Sequence, residues 1–326
     1  MTLDSAFTEH EARALIEAMT PRVCNWGRWG AEDEIGTVNH ITDERRRDAA
    51  SLVRTGRVLS LALTFSRQGP QPPHERRLNP QHVMLDTGVD LAAGGQCGAP
   101  DGWGYSDDMV TMALQASTHW DSLAHVFYGE RMYNDRDCRL VGAEGAHRNS
   151  ITEVRDRMAG RGVLLDIPGL HGLDVLPPAY EITTDELERA FEQERIVSKP
   201  GDVLFIRTGN LGHFRARGDW TGFTHGPEPG LSFDALPWLH EQRVAAVASD
   251  TWAVEAIGLG PDPDAIHMPF HAIAIVQMGM MLGELFDLDA LAHDCARDGV
   301  YEFLFAAAPL PFERAVGAPV NPLAIK

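Results

Sequence analysis

Four short aliphatic runs, Val58 to Thr64, Val163 to Ile167, Val203 to Arg207 and Val244 to Ala248, constrain the fold of this sequence more than any other feature. Each is bounded by Gly, Pro or charged residues, and its apolar residues are consecutive rather than alternating, the pattern of strands buried on both faces. Such strands need helices to cover them. Ser150 with Glu153, and Thr183 with Glu186, stand at capping-box spacing, which predicts helix starts there, with Gly160 stopping the first. Thr42 and Asp287 read as further N-caps. Strands and helices therefore interleave, and the expected class is α/β. Between Gly69 and Trp103 the chain is rich in Pro, Gly, Asn and Asp, which predicts a long loop that covers a site or meets a second subunit. No repeat, low-complexity tract or clear linker divides the chain, so the simplest expectation is one domain over residues 1–326, with an N-terminal arm over roughly the first 57 residues and loop decorations.

A chain of 326 residues that is 44% hydrophobic can bury a proper core. Its 47 acidic against 28 basic residues give a net charge of −19, which repels a phosphate backbone or an anionic membrane surface, so neither nucleic acid nor membrane is an expected partner. Cys24, Cys97, Cys138 and Cys295 lie far apart with no CxxC pair, arguing against a zinc ribbon or dithiol redox site and for a reduced, cytoplasmic protein. The start, MTLDSAFTEHEARALIEAMT, lacks the basic and apolar segments of a secretory signal. The longest apolar stretch, Ala265 to Phe286, carries His267, His271, Gln277 and Glu284, which suits a buried functional segment better than a membrane span.

The chemistry is concentrated where a predicted strand, Met109 to Ala116, runs into Ser117-Thr118-His119-Trp120-Asp121-Ser122-Leu123-Ala124-His125. If the extended geometry persists, alternation puts Gln115, His119 and Asp121 on one face, where imidazole and carboxylate can meet on one cation. Imidazole nitrogen and carboxylate oxygen suit zinc or manganese, and Gln115 can add a neutral oxygen. An ion held by only two or three protein groups keeps open positions for water and substrate, as catalytic sites do. His125, four residues beyond Asp121, is placed to move protons near that centre. Asp250, Glu255 and His267 follow the run ending at Ala248, at the strand end where α/β proteins place ligands; Asp250 is the best candidate there for supporting the site from outside the ligand set. Asn25, Trp26 and Arg28, with Trp29 beside them, combine flat apolar surface with donors, as binding of a small aromatic or cyclic substrate requires. GxSxG, GxxxxGK[ST] and dinucleotide fingerprints are absent, so serine hydrolase, nucleotidase and Rossmann dehydrogenase readings have no support.

The stretch QASTHWDSLAH resembles the signature HxGTHxDxPxH of the cyclase family that includes bacterial kynurenine formamidase and isatin hydrolase. NWGRWGAEDEIGTVNHIT from Asn25 to Thr42, RGVLLDI, PGDVLFIRTGN and FHAIAIVQMGMMLGELFDLDAL look like blocks of the longer members, so the resemblance spans most of the chain. It implies a swivelling β/α-type fold, assembled as a homodimer or homotetramer. It also implies that His119 and Asp121 are metal ligands and that His125 is the catalytic histidine. The sequence departs from the signature at Gln115, where the family has its first ligand histidine, and at Ser117 and Leu123. His271 and Glu284 resemble the pair that completes a second metal position in formamidase-like members; with Gln115 in the first site, one divalent ion is the expectation and a second is open. The irregular loop Phe223 to Leu231, which contains His225, resembles the family's Pro-Gly-Leu loop near the active site and puts His225 among the substrate-binding residues. The implied activity is hydrolysis of a small, cyclic amide, imide or lactone, with His125 as base and acid. The alternatives are a metal-dependent cyclase or dehydratase, and a degenerate ligand-binding relative.

Overall fold

The computed structural model describes residues 9–72, 76–96, 102–258 and 268–326. Three of the aliphatic runs form the parallel centre of a nine-stranded sheet: β5 (Ala159–Asp166), β6 (Val203–Arg207) and β7 (Ala246–Ser249), followed by β8 (Met281–Glu284). Their burial on both faces is what the unbroken apolar runs demanded, and Val163, Leu164, Leu204, Phe205, Val247 and Leu282 are all fully buried. Antiparallel strands close both flanks. β9 (Glu302–Ala306), β11 (Leu323–Ile325) and β1 (Val58–Ser60) lie beyond β5, while β4 (His119–Asp121) and β10 (Gly317–Pro319) lie beyond β8. The order is β1-β11-β9-β5-β6-β7-β8-β4-β10. It is an α/β fold, as its sequence predicts.

Several local expectations are corrected. The first aliphatic run is an edge strand of only three residues, half exposed, with a single further bridge from Ala62 to Phe286. β5 begins at Ala159, so Gly160 lies inside a strand and stops no helix. That extension is held by Arg161, which donates to Asp202 at 2.8 Å and to Glu302 at 2.8 Å. Ser150 turns its hydroxyl to Thr152 and starts only a 3-10 turn, Ile151–Val154. Asp287 pairs with Arg215 instead of capping a helix, and the helix Asp289–Asp298 starts after Leu288. Thr42 and Thr183 do cap: the first accepts from the Arg45 amide, the second forms a capping box with Glu186. The expected loop between Gly69 and Trp103 contains β2 (Gln81–Asp86) and a helical turn, Gly88–Ala92. β2 pairs with β3 (Asp107–Thr111) in a hairpin separate from the main sheet. The strand predicted over Met109 to Ala116 therefore ends at Thr111, and the chain turns at Ala113, whose carbonyl accepts from the Ala116 amide.

The N-terminal segment carries α1 (Glu9–Val23) and α2 (Asp43–Ala50). α2 lies against β5, and α1 lies against a π-helix, Ala272–Met278, that follows the short turn Pro269–His271. Between α1 and α2, Gly36 and Thr37 are pressed against Gly279 at the π-helix end: the Thr37 amide donates to the Gly279 carbonyl at 2.8 Å, and its hydroxyl donates to Ala245 at 2.7 Å. No helix among the described residues is long and apolar enough to cross a membrane.

α3 (Thr184–Gln193) ends beside Glu194, which carries a pH dependence of stability. Burial raises its carboxyl from an ordinary 4.5 to about 8, against the opposing hydrogen bond from the Asp166 amide. The folded chain thus holds a proton there that the unfolded chain releases. The resulting stabilisation is fully present below about 4.5 and is lost as pH rises through about 8. Glu194→Gln keeps the acceptor and removes the titration. Its melting temperature should stay close to the native chain's at pH 5 and exceed it by roughly 5 °C or more at pH 9; an equal difference at both pH values would contradict a buried, protonated Glu194.

Candidate metal centre

Strand alternation on β4 sends Trp120 into the core and His119 and Asp121 to the opposite face. Trp120 meets Phe286 edge to face at 5.1 Å and donates its indole N–H to the Ala307 carbonyl at 3.0 Å. Gly283 makes that packing possible, since a Cβ there would come within 2.7 Å of both Trp120 and Phe286. The register sets Glu284 of β8 directly opposite His119, and Gly317 of β10 opposite Asp121. Thr118 locks this edge by donating to the Leu285 carbonyl at 2.5 Å and accepting from the Leu63 amide at 2.8 Å.

His119 hydrogen-bonds through Nδ1 to the Ser117 carbonyl at 2.8 Å, so Nδ1 carries the proton and the Nε2 lone pair faces the cluster. Nε2 lies 3.3 Å from Asp121 Oδ1 and 3.4 Å from Glu284 Oε2, and His125 Nε2 lies 3.6 Å from the same Asp121 oxygen. His119 and Asp121 are fully buried, and Glu284 nearly so. His119 Nε2, both Asp121 oxygens, Gln115 Nε2 and His125 Nδ1 are buried without a hydrogen-bond partner. Orphaned lone pairs on an imidazole and a carboxylate, converging with Glu284, are costly in a protein interior unless a cation joins them. Ligand atoms of His119, Asp121 and Glu284 all lie within 4.8 Å of one another, so the donor set fits a divalent ion.

The electrostatics agree. Burial opposes charge on His119 and His271, yet the facing carboxylates prevail and raise both, His271 to about 10 through Glu255 and Glu284. The cluster thus binds positive charge strongly. His271 reaches it by way of Glu284, 3.2 Å from its Nε2, while Glu255 accepts from its Nδ1 at 2.5 Å and from the Phe270 and His271 amides at 3.0 Å. His125 shifts the other way: burial lowers it, with Arg77 and His119 acting in the same sense against Asp121 and Glu284. At neutral pH it is an uncharged base.

Gln115 sits on the turn before Thr118, not on the strand that carries His119. Its amide still reaches the cluster because Gly317 leaves room; a Cβ at Gly317 would lie 2.6 Å from Gln115 Nε2 and 3.4 Å from Asp121 Oδ1. His225 packs its ring on Trp252 at 6.0 Å and lines a cleft of about 980 Å³ with Gln71, Asn79, Trp220 and Thr224. Asn25, Trp26 and Arg28 lie elsewhere: Asn25 donates to the Met278 carbonyl, Trp26 to the Val276 carbonyl, and Arg28 to Asn25 Oδ1, fastening the N-terminal segment to the π-helix. Asp250 is buried, accepts from the Thr208 amide and hydroxyl and the Gly209 amide, each at 2.7 Å, and is raised by burial to about 6. His267 lies outside the described residues. Glu228, which motif reading passed over, is buried and accepts from the Trp252 and Ala253 amides, so it holds the segment beneath His225.

A mixed sheet with a buried His/Asp/Glu cluster at its antiparallel edge defines the class: an α/β protein carrying a candidate divalent-cation site. The chain belongs to the cyclase family, whose model matches residues 35–256. A crystal structure described as a novel cyclase is 38% identical, covers 93% of this chain and 100% of its own, and superposes with a TM-score of 0.85. Isatin hydrolase A from Labrenzia aggregata, bound to benzyl benzoate, is 17% identical over 85% of this chain and 94% of its own, with a TM-score of 0.58. Isatin hydrolase A from Ralstonia solanacearum is 19% identical over 82% and 91%, with a TM-score of 0.59. These two share the fold. No curated protein matches the sequence.

Proposed function

We propose that this protein hydrolyses a C–N or C–O bond of a small cyclic amide, imide or lactone, using one divalent ion, zinc or manganese. The observation that carries the reading is the set of buried, partnerless ligand atoms on His119 and Asp121 facing Glu284. His119, Asp121 and Glu284 would hold the ion, with Gln115 beside them and His271 held behind Glu284 by Glu255. Bound there, a divalent ion polarises a carbonyl and lowers the pKa of water from about 16 toward 7. His125, uncharged at neutral pH and beside Asp121, takes a proton from the attacking water. Asp121 then stabilises the imidazolium so formed, and His125 returns the proton to the departing nitrogen or oxygen. The cyclic substrate is supported by the shared fold with isatin hydrolase, whose name denotes a cyclic amide.

The test is elemental analysis of chain purified without chelator, native against Asp121→Ala. About one zinc or manganese per native chain and loss of at least 90% of it in the variant is the expected result. Near-zero occupancy in the native chain after incubation with both ions would defeat the proposal and favour a degenerate ligand-binding relative. Product lacking solvent oxygen after turnover in labelled water would favour a cyclase or dehydratase.

A further inference from the structure

Gln71 and Asn79 are clamped to one another beside the turn that precedes β4. Gln71 donates through its side chain to the Ala116 carbonyl at 3.0 Å, one residue past Gln115, and its amide donates to Asn79 Oδ1 at 3.0 Å. Asn79 in turn donates to the Gly69 and Gln71 carbonyls at 3.1 and 2.8 Å. The clamp presents Arg77, whose guanidinium lies over the Trp252 ring, 5.7 Å from its centroid. His225 contacts the same ring. Trp252 follows β7, the neighbour of the strand that bears Glu284, so this aromatic platform lies at the end of the sheet's parallel centre.

Two features of the platform call for an anion. Arg161 and Arg207 each meet two carboxylates, as expected in a chain of net charge −19, but no carboxylate of the described residues lies within ion-pair distance of Arg77. The Trp252 indole N–H is buried and likewise has no acceptor among the described residues. A guanidinium placed over an indole ring leaves N–H groups for a bidentate oxyanion.

We propose that Arg77, stacked on Trp252, recognises a carboxylate on the substrate at a position distinct from the bond that is cleaved. The substrate class is then an anionic one: a small cyclic amide, imide or lactone bearing a carboxylate. This rests on the hydrolase reading for the cleaved bond, but the carboxylate subsite is testable without turnover.

The experiment is calorimetric titration of benzoate, with benzamide as the uncharged control, into the native chain, Arg77→Met, Arg77→Lys and the ion-site variant Asp121→Ala. Benzoate should bind the native chain and Asp121→Ala with similar affinity, bind Arg77→Met at least tenfold more weakly, and bind Arg77→Lys with intermediate affinity; benzamide should not distinguish Arg77→Met from the native chain. Quenching of indole fluorescence by benzoate should be lost with Trp252→Phe. Benzoate binding abolished in Asp121→Ala but intact in Arg77→Met would overturn the subsite, as would no binding to any form. A native chain without metal or hydrolysis that still binds benzoate through Arg77 would refute the hydrolase reading and leave the subsite standing.

Discussion

His125→Gln lowers the turnover of the first amide, imide or lactone that the native chain accepts by about 10²–10⁴, with the divalent ion still bound and the melting temperature nearly unchanged. The range is that of a positioned proton-transfer group. Retention of the ion follows from the site: His119, Asp121 and Glu284 converge without His125, whose nearest ligand atom is Asp121 Oδ1 at 3.6 Å. Glutamine preserves size and some polarity but cannot accept and return a proton near neutrality. Because burial, assisted by Arg77, holds the His125 pKa below its ordinary value, the native rate should stay level down to mildly acidic pH and fall only below the usual histidine range. Activity and metal content measured on one preparation check this. Loss of the ion together with activity would make His125 a ligand, and activity within threefold of native would remove it from the reaction.

Gly36→Ala has the largest expected effect on stability. Gly36 has φ +53°, and a Cβ would stand 2.0 Å from the Gly279 carbonyl oxygen. That oxygen accepts from the Thr37 amide at 2.8 Å, so the backbone cannot retreat without breaking that bond. Gly279 cannot move either: its own Cβ position is 2.3 Å from Tyr133, whose hydroxyl is tied to Asp33 at 2.9 Å. The cost should exceed about 3 kcal/mol, a fall in melting temperature of roughly 8 °C or more, or no soluble folded chain. Gly27→Ala is the control. Gly27 has φ +74° but nothing within 4 Å of a Cβ, so only the left-handed backbone is penalised, at about 1–2 kcal/mol. Parallel thermal melts decide, and equal shifts would show that the contact with Gly279 is not rigid.

The parts of this fold legible in the sequence are those written in neighbouring residues. Consecutive β-branched and aliphatic side chains mark β5, β6 and β7 because burial on both faces leaves no polar position. His119 and Asp121 are legible for a related reason, alternation on one strand. Glu284 is different. It comes within ligand distance of His119 through the antiparallel pairing of β8 with β4, and no local pattern announces a partner so far along the chain; only family resemblance pointed to it. Gln115 shows how a local rule fails, since the turn at Ala113 breaks the alternation and Gly317, from another strand, supplies the space for its amide. Glu228 was hidden because it acts on the main-chain amides of Trp252 and Ala253, on a segment its own neighbours do not mark. Arg77 was hidden because its significance lies in the acid it does not meet.

The register between β4 and β8 also has a consequence for folding. His119 and Glu284 face each other only when the chain's middle and its C-terminal third have been threaded into adjacent places in the sheet. Local contacts alone cannot assemble the pair, and long-range pairing of this kind is slow to form. A chain that lacks β8, whether truncated or cut by a protease, therefore carries His119 and Asp121 without the Glu284 carboxylate that completes the cluster.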